Sequence, residues 1–120
     1  MSLNLDYNTP TVLNVLIERI QNLKKSGKFE DAIRAAETAV ESARRLIEDR
    51  PDQIINLVTC LELLGNLLRI CGKEMESEAV YVEALSYEGS EKIEMRQLAR
   101  IKSNLACIYD NNNLNDEAII

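Results

Sequence analysis

Apolar positions recur at intervals of three and four residues along most of this chain. Val12, Leu16, Ile20 and Leu23 form a first run, and Phe29, Ala32, Ile33, Ala36, Ala39, Ala43 and Leu46 a second. Leu57, Leu61, Leu64 and Leu68 lie on one side of a third, with Leu63, Leu67 and Ile70 on another. Met75, Ala79, Tyr81, Val82 and Leu85 follow, then Leu98, Ile101, Leu105 and Ile108. The spacing is helical, and no alternating run of strand length interrupts it. The pattern predicts an all-α protein.

Punctuation sets the expected helix ends. Pro10 suits a first helical position with Thr9 as its cap. Gly27 ends the first helix in the left-handed conformation. The second helix runs from about Lys28 to Asp49, and its alanines allow close approach to the first. Pro51 stops it and opens a third helix, to about Cys71. That helix is apolar nearly all round, so it should be sandwiched between neighbours. Gly65 in its middle costs ~1 kcal/mol relative to Ala, which makes sense if another helix crosses closely there. Gly72 closes it. A fourth helix spans about Lys73 to Ser86 and a fifth, capped by Ser90, about Glu91 to Asp110. Asn111-Asn112-Asn113 is predicted to turn, with Asn115 to Ile120 opening a sixth helix.

A motif recurs nearly three times. Leu16-x-x-Arg19-Ile20-x-x-Leu23 precedes Gly27-Lys28-Phe29-x-x-Ala32. Leu61-x-x-Leu64-Gly65-x-x-Leu68 precedes Gly72 and Ser77-x-x-x-Tyr81-x-x-Ala84-Leu85. Lys102-x-x-Leu105-Ala106-x-x-Tyr109 precedes Asn113 and Ala118. On these residues the chain resembles the tetratricopeptide repeat family. Arg19-Ile20 stands where that family has Leu-Gly, and Ala36 replaces an aromatic. The period is long: Gly27 to Gly72 is 45 residues and Leu64 to Leu105 is 41. It is similar in this to the kinesin-light-chain and Pins-type subclass. The resemblance implies one domain over 1–120, a right-handed superhelix of antiparallel helix hairpins with repeats at about 11–50, 51–89 and 90–120, the last incomplete.

The resemblance also implies a concave groove lined by the first helix of each hairpin. Its candidate peptide-binding residues are Ile17, Gln21, Lys24, Glu62, Asn66, Arg69, Arg100, Asn104 and Cys107. Asn66 and Asn104 would offer carboxamides to an extended peptide backbone. Arg69 and Arg100 would grip a carboxylate. Chaperone co-factors of the family clamp a terminal carboxylate with Lys and Asn in the first repeat and Lys and Arg in the third. Here those slots hold Ile17 and Gln21, then Arg100 and Asn104. Chaperone tails are therefore not the expected ligand.

Composition narrows the chemistry. There is no His, which removes the commonest general base and zinc ligand. No phosphate-cradling Gly-rich loop occurs. Asp110-Asn111-Asn112-Asn113 fails as a calcium loop because Leu114 and Asn115 replace a ligand and the required Gly. No catalytic residue, metal site or cofactor is expected, and Glu76 and Glu83 read as solvated helix carboxylates. Net charge is −6 without a basic stripe, which argues against nucleic acid. Cys60, Cys71 and Cys107 have no framework spacing and read as buried thiols in a reducing compartment. No run reads as long enough to span a bilayer, so cytoplasmic residence is expected, with no membrane partner.

The function expected is a non-enzymatic protein–protein interaction scaffold. The third hairpin would stop six residues into its second helix. Either the array continues, or another copy covers a self-association edge of Leu98, Ile101, Leu105, Ile108, Ile119 and Ile120. A self-associating structural module, a homodimer through that edge, is the alternative.

Overall fold

A computed structural model of the protein describes residues 10–118, with side chains over 11–111. It holds five α-helices and, among the described residues, no strand. They are α1 (Pro10–Lys25), α2 (Phe29–Asp49), α3 (Ile54–Ile70), α4 (Glu74–Leu85) and α5 (Met95–Ala118). A 3-10 turn, Pro51–Gln53, leads into α3. The boundaries of the first four helices fall within a few residues of those the punctuation predicts. Thr9, the expected cap of α1, lies outside the described residues.

Two glycines set the hairpin turns. Gly27 and Gly72 have φ of 76° and 78°, a conformation costly for other residues. Beyond each, the chain reaches back into the helix: Lys28 N–H donates to the Leu23 carbonyl at 2.9 Å and Lys73 N–H to the Leu68 carbonyl at 2.8 Å. Each turn thus returns the chain beside the helix it has just left, and α1 packs on α2 as α3 packs on α4.

α2 lies between α1 and α3, and α3 touches all four other helices. The row Ala32, Ala36, Ala39 and Ala43 is fully buried, as small residues at a close helix approach should be. Leu57, Leu61 and Leu67 of α3 are almost wholly enclosed, each burial contributing about 2 kcal/mol. By length and composition, Pro51–Ile70 could cross a membrane, which corrects the reading that no run was apolar enough. Half of it is buried inside the protein, in the manner of a core helix. On α4 the buried positions are Ser77, Tyr81 and Ala84, whereas Met75, Ala79 and Val82 face outward. The apolar face drawn from the sequence is therefore rotated. Glu83 of α4 is also not simply solvated, since Arg44 of α2 donates to it through Nε at 3.3 Å and through Nη2. That hydrogen bond, and then the carboxylate charge, raise the pKa of the Arg44 guanidinium.

The last helix departs most from expectation. α5 runs without a break through Asn111–Asn113 to Ala118, so the predicted turn and separate sixth helix do not form. Asn tolerates a turn but does not impose one, and no Gly or Pro stands in this stretch. The fifth helix also starts at Met95 rather than Glu91, after a run of turns in which Ile93 is buried. Ile101 and Ile108 are fully enclosed, Leu105 is buried and Leu98 half-buried. All were expected on an uncovered edge; Ile101, Leu105 and Ile108 belong to the core of the chain itself, and Leu98 packs against it. Ile119 and Ile120 lie outside the described residues.

Candidate functional site

α3 is flanked on one face by α1 and α5. Along that face α3 carries Thr59, Glu62 and Asn66, at successive spacings of three and four, so they form one stripe. α5 carries Gln97, Arg100 and Asn104 in the same way. The two stripes meet as a ladder. Gln97 Nε2 donates to Thr59 Oγ1 at 3.0 Å. Arg100 forks onto Glu62, Nε to Oε2 at 2.9 Å and Nη2 to Oε1 at 3.2 Å. Asn104 Nδ2 donates to Asn66 Oδ1 at 3.0 Å. All three rungs join residues 38 apart in the chain. A constant offset means that α3 and α5 run side by side in the same direction and in register.

Glu62 is the most demanding member, being only 7% exposed. A buried carboxylate needs a counter-charge and hydrogen bonds. Arg100 supplies the first, and Gln97 Nε2, at 3.3 Å from Glu62 Oε1, adds to the second. The Glu62 hydrogen bond, followed by its charge, raises the Arg100 pKa. Arg100 was expected to be available for a ligand carboxylate; its guanidinium, half exposed, is already engaged by Glu62.

α4 fixes the middle of the same face. The Tyr81 ring is fully buried against Gly65, where a Cβ would collide with Cε1 and lie 2.7 Å from Cδ1. Ser77 Oγ donates to the Gly65 carbonyl at 2.7 Å. Tyr81 OH donates to Asn66 Oδ1. Gly65 is thus small because α4 presses a ring onto it, the close crossing the sequence implied. Asn66 Oδ1 accepts from both Tyr81 and Asn104, so its carboxamide orientation is held from two sides. Asn66 and Asn104, expected to be free for a peptide, spend part of their hydrogen bonding on each other.

Two depressions flank Asn66. One, of about 460 Å³, lies between α1 and α3 and is bounded by Ile20, Gln21, Lys24, Lys25, Phe29, Leu63, Leu67 and Ile70. The other, of about 520 Å³, lies between α3 and α5 beside Glu62, Arg96, Ala99, Arg100, Ser103 and Asn104. Gln21, Lys24, Glu62, Asn66, Arg100 and Asn104 therefore border one surface. Ile17 packs against the core instead. Arg69 is half-buried, and its Nε has no hydrogen-bond partner among the described residues. Cys107 is exposed and Cys71 partly so, which corrects the reading of three buried thiols; only Cys60 is enclosed. Burial pushes the Cys60 thiol up to about 12. Among the described residues no group of three potential metal ligands comes together.

Sequence reasoning missed Thr59, Gln97 and Tyr81 as members of this face. The signal for Gln97 was present, since Gln97, Arg100 and Asn104 share one helical stripe. The apolar floor of Phe29, Leu63, Leu67 and Ile70 was read only as core. The chain matches no family model, and no curated protein or solved structure is found similar to it.

Proposed function

We propose that this protein is a non-enzymatic interaction scaffold whose α1–α3–α5 face holds a peptide or partner protein. In this reading the helices stack as a right-handed superhelix of the tetratricopeptide kind, with two hairpins and α5 as the first helix of a third. The observation that carries the proposal is the pair of depressions meeting at Asn66 on a face kept in register by side-chain bonds. A preformed concave surface with a few fixed polar groups is what binding sites are made of. The free cysteines fit a reducing, cytoplasmic setting. Self-association through the α5 edge is disfavoured, because Ile101, Leu105 and Ile108 are already buried within the chain.

The test is site-specific photo-crosslinking in cells. A crosslinking residue at Ser103, on the face, should yield discrete protein adducts. The same residue at Glu37, exposed on α2, should yield few. Equal labelling from the two positions, or none from Ser103, would defeat the proposal.

A further inference from the structure

The two depressions differ in kind. That between α3 and α5 is walled by the polar ladder, whose members bond to one another. That between α1 and α3 has no ladder. Its floor is Phe29, Leu63, Leu67 and Ile70, and Phe29 is the sole phenylalanine of the chain. Ile70 is 47% exposed and stands at the mouth. An open apolar depression of this kind offers burial to a side chain that arrives from outside.

Its rim carries charge of one sign. Lys24 and Lys25 border it, and among the described residues no carboxylate does. Both lysines are exposed, and neither takes part in an ion pair among the described residues. In a chain of net charge −6 this is a local reversal. Asn66 contributes a directed donor. Its oxygen is held by Tyr81 and Asn104, so its Nδ2 is turned away from them, and it donates to nothing among the described residues. Asn66 borders both depressions, so a chain passing from one to the other runs beside its carboxamide.

Building on the scaffold reading, we infer that the α1–α3 depression is a specificity pocket. It takes one bulky apolar side chain, Leu, Ile, Met or Phe, from an extended peptide with Asp or Glu beside it. The side chain rests on Leu63, Leu67 and Ile70, Asn66 Nδ2 donates to a peptide carbonyl, and Lys24 and Lys25 attract the acidic flank. Charge complementarity selects the flank, and the continuous surface through Asn66 selects an extended chain.

The experiment is selection of a random peptide library on the full chain, followed by binding measurements on the enriched peptides. Enriched sequences should pair an apolar residue with acidic neighbours. Ile70→Glu places a like charge at an exposed position and should weaken binding by at least about tenfold. Lys24→Gln with Lys25→Gln should weaken it by several-fold and flatten its salt dependence. Unchanged circular dichroism establishes that both variants are folded. Enriched peptides without acidic residues, or binding indifferent to Ile70→Glu yet lost in Ser103→Glu, would overturn the pocket while leaving the scaffold standing. A library that yields no binder would count against the scaffold and the pocket together. Binding of a fatty acid that depends on Ile70, with no peptide enriched, would reassign the pocket to a small amphipathic ligand and overturn the inference.

Discussion

Gly65→Ala sets two physical effects against each other, and the structure decides the sign. In an exposed helix interior the change stabilises by about 1 kcal/mol, because Ala restricts the unfolded chain and suits the helix. At Gly65 the added methyl would collide with Tyr81 Cε1 and lie 2.7 Å from Cδ1 and 3.0 Å from Cζ. Ordinary carbon contacts are about 3.5–4.0 Å, so the ring must retreat by about 1 Å. The ring is fully buried, and its hydroxyl is tied to Asn66. Overpacking of this kind costs about 1–3 kcal/mol, and the strained hydroxyl bond adds about 1 kcal/mol. Subtracting the propensity gain leaves a net loss of about 2 kcal/mol, or roughly 8 °C in Tm for a chain of this length. Urea unfolding followed by circular dichroism measures it directly. The control is the same change in a Tyr81→Leu background, where the ring is gone and Gly65→Ala should become neutral or stabilising by up to about 1 kcal/mol. A Gly65→Ala protein as stable as the parent would refute the reasoning, because propensity would then have won.

Other outcomes follow from the same geometry. Arg100→Ala leaves the buried Glu62 carboxylate with Gln97 alone and should cost about 2 kcal/mol, less than a fully buried pair because Arg100 is half exposed. Its double-mutant cycle with Glu62→Gln should show coupling of about 1 kcal/mol by urea unfolding; additivity would mean that the rung is idle. Cys107 should react at once with a thiol reagent, Cys71 more slowly and Cys60 only on unfolding, counted by chromophore release from native and denatured protein. The Cys60 thiol titrates near 9.0 when unfolded and at about 12 when folded. The unfolded state therefore loses its proton first, and stability should fall from about pH 9 to pH 12, by up to about 4 kcal/mol. Cys60→Ala should remove that increment of the slope in unfolding curves measured across this range.

The first four helices and their turns were legible because single residues impose them. Gly27, Gly72 and Pro51 leave the backbone few choices, and the first four helices begin and end accordingly. Gly65 was legible for a similar reason, since a mid-helix glycine is costly unless something fills the space. Hydrophobic content was a poorer guide to which side faces inward. On α4 the larger apolar residues Met75 and Val82 lie outside, while Ser77, Tyr81 and Ala84 lie inside. Small residues and one ring fit the close approach to α3, so shape outweighed hydropathy. On α1 the fully buried residues are Leu13 and Ile20, and Val12 is only partly buried. Leu16, Ile20 and Leu23 of the stripe drawn do meet the core, and Leu13 and Ile17 widen it on the other side. The polar face was half legible. That Glu62, Asn66, Arg100 and Asn104 share a surface follows from helical spacing. That they bond to one another depends on the distance between α3 and α5, which spacing along each helix does not reveal. Asn111–Asn113 misled because a residue that permits a turn was read as one that makes it.

The joints between helices are made of unlike materials. α1, α2, α3 and α4 meet mainly through aliphatic surface, whereas α3 and α5 meet through a row of directional bonds, one of them ionic. Aliphatic contact weakens on cooling and tolerates salt, while an ion pair weakens in salt. Cold and ionic strength therefore act on different joints of the same molecule: cold on the aliphatic packing, which also holds Ile101, Leu105 and Ile108 of α5, and salt on the ladder between α3 and α5.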